Sequence, residues 1–300
     1  MPGSINDLVT RYYHSQDFLG GSDATRSKNR GIFEAFRSEH GGKRAAALEF
    51  EHVDAILAKK AALYPAAARN LRKQLRRLFA YAVKCRMRDN NPVEHTARIK
   101  NKSTGWHAWT EAEIAQYQAT HAIGSMARLA LELYLWTGNR KTDALSLGRQ
   151  HIKNGAFRIR QQKTGKTIII PVGKRLADAI LAMPVGTNMT LLTNAYGNAF
   201  TPGGFGNRMR KWCDEAGLPQ CTTHGLRKAI SNRMALSGAG NQGIKSITGH
   251  SGDSEVAHYT REVDQEALAR STMSRLVAWE LANLPTGLAN DPDKPLKHNG

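Results

Sequence analysis

Apolar residues return every three or four positions along much of the 300-residue chain, the period of a helix that buries one face. The clearest case runs from Pro65 to Arg88, where Leu71, Leu75, Leu78, Phe79 and Ala82 fall on one side. Pro65 suits the first turn of that helix, where a missing amide costs nothing. The same period predicts helices over Ile5 to His14, Thr25 to Glu39 and Glu51 to Lys60, with Ser22 and Asp23 as N-cap types before the second. Asp89-Asn90-Asn91-Pro92 is expected to end the long helix, by turn chemistry and by the restriction a proline places on its predecessor.

Val93 to Gly105 are polar and basic without a period and read as a linker. A capping box at Thr110-Glu111-Ala112-Glu113 then opens a second helical series. Met126 to Thr137 is mostly apolar, a core helix that Gly138 stops or turns. The period changes to two at Phe157-Arg158-Ile159-Arg160, Lys163-Thr164-Gly165-Lys166 supplies a turn, and Thr167 to Pro171 is β-branched, which predicts a β-hairpin. Helical patterns follow at Lys174 to Met183, Gly204 to Ala216, His224 to Ser237 and Val263 to Leu284. The expected fold is mainly α with a small antiparallel sheet, in two bodies. Residues 1–92 form an all-helical domain, 93–105 the linker, 106–284 an α+β domain, and 285–300 a polar, disordered tail.

Charge narrows the function. A formal net of +18 points to a polyanion as partner, most often nucleic acid. Residues 1–105 carry 20 Lys and Arg against 10 Asp and Glu, and residues 106–300 carry 23 against 15, so two bodies facing one backbone fit better than a basic tail on a neutral body. On the long first-domain helix, Arg69, Arg72, Lys73, Arg76 and Arg77 form a run without an acid. An ordinary solvated face mixes signs, so this one reads as phosphate-facing. No run of about 18 apolar residues exists to span a membrane, and the N-terminus lacks an export pattern, which predicts a cytoplasmic, nucleoid-associated protein. Cys85, Cys213 and Cys221 have no metal-ligand spacing and read as reduced structural thiols.

Candidate chemistry lies in the second body. In order come Thr137-Gly138-Asn139-Arg140 with Asp143 three residues on, Lys163 in the hairpin turn, His224-Gly225-Leu226-Arg227, and Thr248-Gly249-His250 with Tyr259 nine residues after the histidine. Each has an ordinary alternative. Arg140 would complement a helix C-terminal dipole, His224 and Arg227 would sit on a helix surface, Lys163 and Lys166 would be exposed turn lysines, and Tyr259 would pack in a core. Together, the R-x-x-D, H-x-x-R and H-x8-Y spacings in this order resemble the tyrosine recombinase, or phage integrase, family of DNA strand-exchange enzymes.

The resemblance implies a helical, SAM-like core-binding domain followed by a catalytic domain, and a role for each matching residue. Tyr259 attacks the scissile phosphate. Arg140 and Arg227 hold its non-bridging oxygens, His250 adds a hydrogen bond, and His224 takes the tyrosine proton. Lys163 protonates the leaving 5′ oxygen, and Asp143 braces the site where the family usually has glutamate. Such chemistry suits these residue types. A tyrosine phenol titrates near pH 10 and needs assistance, while arginine offers a permanent charge in a fork that matches phosphate. The resemblance further implies double-stranded DNA as substrate, a homo-tetramer on synapsed DNA, accessory directionality factors in some settings, and no metal or other cofactor. Asn139 and Thr248 stand where leucine is common in the family. A type IB topoisomerase shares the chemistry, and a DNA-binding relative that no longer cleaves shares the fold.

Overall fold

A computed structural model describes residues 1–100, 105–184, 188–260 and 265–283, with only the backbone described at Glu255, His258, Tyr259, Thr260, Gln265 and Ala267. The chain divides into two compact units, Met1–Ser103 and Thr104–Gly300.

The first unit is helical: α1 (Ile5–Tyr13), α2 (Gln16–Leu19), α3 (Asp23–His40), α4 (Phe50–Leu63) and α5 (Pro65–Lys84). Its core gathers Ile5, Leu8, Phe33, Leu57, Leu75, Leu78 and Phe79. On α5 the five apolar positions picked out by their period are all buried, and Pro65 opens the helix. The helix ends at Lys84, not Arg88. Arg86 takes a positive φ of 55°, and the Met87 amide turns back to the Ala82 carbonyl at 2.9 Å. Arg88 is then drawn inward, donating to the carbonyls of Ala45 and Leu48 at 3.0 and 2.8 Å with its charge over the Phe79 ring. Asp89 to Pro92 therefore follow the helix end and do not cause it. The start of the expected linker packs on this unit, since Val93 belongs to its core and Thr96 is buried. Asn101 to Thr104 lie outside the described residues.

The second unit holds α6 (Glu111–Thr120), α7 (Met126–Thr137), α8 (Lys141–Leu145), a sheet of β1 (Ile152–Lys153), β2 (Ala156–Arg160) and β3 (Thr167–Pro171), then α9 (Lys174–Leu181), α10 (Pro202–Glu215), α11 (Thr223–Leu236), α12 (Asn241–Thr248), α13 (Asp253–Thr260) and α14 (Gln265–Asn283). The capping box forms as predicted. Thr110 Oγ1 accepts from the Glu113 amide at 3.2 Å and the Glu113 carboxylate accepts from the Thr110 amide at 2.7 Å. The strands run antiparallel in the order β1-β2-β3, with Phe157 opposite Ile170 and Ile159 opposite Ile168, and these four side chains face the core. That core also takes Tyr117, Leu129, Tyr134, Phe205 and Trp212, with Tyr134 stacked on Phe205. The short helices α2, α8, α12 and α13, of four to eight residues, were not expected from periodicity, since so few turns seldom show a face; α9, also of eight residues, was. The expected tail, 285–300, and the Val263 and Leu284 ends of the last helix lie outside the described residues. No described helix is long and apolar enough to cross a membrane.

Candidate active site

Two helix ends aim the site. α7 stops at Gly138, whose φ of 58° is left-handed, a conformation that glycine adopts without a Cβ penalty. The chain then leaves at a sharp angle, so that Arg140 becomes the N-cap of α8. α12 ends in the same manner at Gly249, φ 67°, and the turn delivers His250. A Cβ on Gly249 would stand 2.2 Å from the amide nitrogen of Gln161, so any side chain there would also displace the Gln161 amide.

These turns, the β2–β3 hairpin and the start of α11 meet at one cavity of about 310 Å³, lined by Asn139, Arg140, Lys141, Lys163, Thr223, His224, Arg227 and His250. Lys163 lines it and Lys166 does not, although both stand exposed in the hairpin turn. His224 and Arg227 lie one turn apart on α11, with Arg227 buried and donating to the Gly138 carbonyl. Asp143 is 1% exposed, and its Oδ1 accepts from the Gln162 amide at 2.9 Å. The acid thus fastens the lysine-bearing hairpin to the helix that starts at Arg140. Tyr259 lies on α13, a helix anchored by Val256 against Ala235 of α11 and Ile244 of α12; its side chain lies outside the described residues.

Sequence reasoning passed over the groups that tie these pieces together. Gln161 is fully buried. Its carbonyl oxygen accepts from the Arg140 guanidinium at 3.1 Å and the Thr164 hydroxyl at 2.8 Å, and its amide nitrogen donates to the Thr248 carbonyl at 3.1 Å. The signal was present but faint: residues 157 and 159 face the core, and 161 continues that parity. Thr248 gives its hydroxyl proton to the Ile244 carbonyl at 2.7 Å and meets His250 Nδ1 at 2.8 Å. A hydroxyl has one proton to give, so Nδ1 is the donor in that pair. Lys141, unremarked in the sequence, lines both this cavity and a neighbouring one beside Trp106 and Arg210.

The segment before α6 steadies the first turn of α11. Trp109 Nε1 donates to the Thr222 carbonyl at 2.8 Å, Lys228 Nζ donates to the Trp106 carbonyl at 2.9 Å, and the Trp106 ring lies 5.9 Å from that of His224. Beside it, donor atoms of His107, Glu113 and Cys221 come within 4.8 Å of one another. The carboxylate there is already taken up by the Thr110 amide and hydroxyl, His107 and Gln220, so the group reads as a polar clasp. Burial pushes the Glu113 carboxyl up, but these hydrogen bonds outweigh it and hold the group down at about 2.

In the first unit, Arg69, Arg72, Lys73, Arg76 and Arg77 line a cleft of about 880 Å³ together with Arg98. They are not equivalent. Arg69, Lys73, Arg76 and Arg77 are exposed, whereas Arg72 is partly buried and donates to the Thr96 hydroxyl and carbonyl at 2.8 and 2.9 Å. Arg76 stands 3.9 Å from Glu94, an acid brought in from the following loop.

Residues 110–266, which include every candidate from Arg140 to Tyr259, match the model of the phage integrase family. The chain belongs to that family. Among curated members it is 25% identical over 206 residues to the integrase of Escherichia phage HK022, covering 65% of this chain and 57% of that protein. It is 29% identical over 155 residues to tyrosine recombinase XerC of Rickettsia canadensis (strain McKiel), covering 49% and 51%. The chain therefore spans little more than half the length of these phage integrase relatives. In fold it is similar to a lambda integrase (75–356) dimer bound to a COC′ core site, at a TM-score of 0.76 and 22% identity, covering 87% of this chain and 98% of that one. A lambda integrase tetramer bound to a Holliday junction matches at 0.74 and 21% identity, covering 84% and 79%. The mainly helical architecture with a small antiparallel sheet is thus the integrase fold.

Proposed function

We propose that this phage integrase family member is a site-specific DNA recombinase that cuts and rejoins duplex DNA through a 3′-phosphotyrosyl intermediate and a Holliday junction, integrating or excising a mobile element. The observation that carries the reading is the single cavity into which four separate stretches of chain send Arg140, Lys163, His224, Arg227 and His250. Two arginines beside a lysine and two imidazoles match a phosphate undergoing in-line displacement, where charge develops on the non-bridging oxygens and must meet preorganised donors. In the proposed step the Tyr259 oxygen bonds to phosphorus and the bond to the 5′ oxygen breaks. The phenol proton passes to His224, and the 5′ oxygen takes one from Lys163. One phosphodiester is exchanged for another, so bond energy is conserved and rejoining is the same step reversed.

Arg69, Lys73, Arg76 and Arg77 would grip the backbone with the first unit. α14 supports assembly. Met273, Leu276, Val277, Trp279 and Leu281 are exposed along it, an apolar surface better suited to docking on a second copy of the chain than to water. A topoisomerase, working as a monomer, has no use for such a surface.

The test is covalent trapping on nicked DNA drawn from the flanks of the chain's own coding sequence. Intact protein should form a protein–DNA adduct resistant to denaturant, and Tyr259→Phe should form none. Relaxation of any supercoiled plasmid without site preference would favour the topoisomerase reading; binding without an adduct from either protein would favour a non-cleaving relative.

A further inference from the structure

We infer that Gln161 is the positioning residue of this site, holding Arg140, the Lys163 hairpin and the His250 turn in one geometry through its single amide, with Thr248 as its link to the histidine. The inference rests on the proposed strand-transfer reading and adds to it a residue that would touch neither DNA nor the reacting atoms.

The argument is one of hydrogen-bond capacity. A glutamine amide has two donors and two acceptor directions, and three of these four are satisfied by partners on different elements. Arg140 comes from the turn after α7, Thr164 from the hairpin tip one residue past Lys163, and the Thr248 carbonyl from the end of α12. The residue has no exposed surface, so water does not compete for these bonds and their low-dielectric setting strengthens them. An arginine that must present its fork to a phosphate has four rotatable bonds to restrain, and a neutral acceptor restrains it without cancelling its charge. A carboxylate in the same place would pair with Arg140 and draw it from its substrate. Beyond Gln161 the chain of contacts runs through Thr248 to His250 Nδ1 at 2.8 Å. Gly249 leaves space for the amide nitrogen that a side chain would fill. Asp143 fastens the same hairpin from the other side, through the backbone of Gln162, so the lysine loop is held at two adjacent residues.

Gln161→Met keeps the volume and removes every hydrogen bond. At saturating DNA the rate of adduct formation should fall about 10- to 100-fold, the scale of a misplaced catalytic group, while DNA affinity stays within about two-fold. The deciding readout is a methylphosphonate at the scissile position. With one non-bridging oxygen replaced by a neutral methyl, the reaction asks less of Arg140, and the penalty of Gln161→Met should shrink to less than about three-fold. A role limited to structure would carry the same penalty on both substrates and overturn the inference, as would a Gln161→Met rate equal to wild type. A DNA-free measurement guards against a wrong target sequence. In the intact chain the Arg140 Nη1 protons, one of which is donated to Gln161, should exchange slowly with solvent by NMR, and in Gln161→Met at least ten-fold faster; equal exchange in both would overturn the inference even if neither protein cleaves. Failure of the wild type alone to form an adduct would count against the proposed function and leave the exchange result to decide the role of Gln161.

Discussion

Asn139 sits beside Arg140 yet is itself 1% exposed, and among the described residues neither atom of its amide has a hydrogen-bond partner. A buried, unpaired polar group costs about 1–3 kcal/mol, and leucine, common at this place in the family, fills a similar volume without that penalty. Asn139→Leu should therefore raise the unfolding free energy by about 1 kcal/mol or more in urea titrations; no gain would mean that the amide finds a partner. At this scale the sequence was readable where chemistry and spacing coincide. R-x-x-D and H-x-x-R place Arg140, Asp143, His224 and Arg227 because each pair is one helical turn apart. Gln161 and Thr248 stayed hidden because their meaning depends on contacts 87 residues apart in the chain, which no local period encodes.

The longer helices and the hairpin were legible from periodicity, and their ends were not. α5 shows why: its stop is made by a left-handed Arg86 and by carbonyls of a distant turn that capture Arg88. The same helix separates two kinds of arginine. Arg72→Ala should destabilise the first unit by about 1–3 kcal/mol by taking the donor from the Thr96 carbonyl, with loss measured in thermal melts. Arg69→Ala and Arg77→Ala should leave melting unchanged, weaken DNA binding alike for all sequences, and each lower the slope of log affinity against log salt by about 1. At the start of α6, Glu113 is held at about 2, below the ordinary range for a free glutamate of about 4.3. A carboxyl depressed in the folded state contributes stability that is complete above the unfolded value and is lost as pH falls through the folded one. Denaturant unfolding should therefore show Glu113→Gln less stable than wild type at pH 6, with the gap closing below pH 4 toward pH 2.

For the molecule as a whole, both units are basic, and the last helix carries its apolar residues outward. Arg275 ties α14 to its own unit through the Ser237 carbonyl at 3.2 Å, so replacing Met273, Leu276 and Trp279 together by serine should leave folding and single-site binding intact. Complexes of several protomers on DNA should then lose members, seen by mass photometry; undiminished stoichiometry would remove the assembly role. The cavity itself has a further consequence. Arg140, Lys141, Lys163 and Arg227 set their positive charges around about 310 Å³, and their mutual repulsion is unfavourable. Any small dianion that settles there should relieve it by mass action. Sulfate exchanged for chloride at constant ionic strength should thus raise the melting temperature, and Arg140→Ala should abolish most of that rise. A thermal-shift plate would then report occupancy of the site before the chain's own DNA sequence is known.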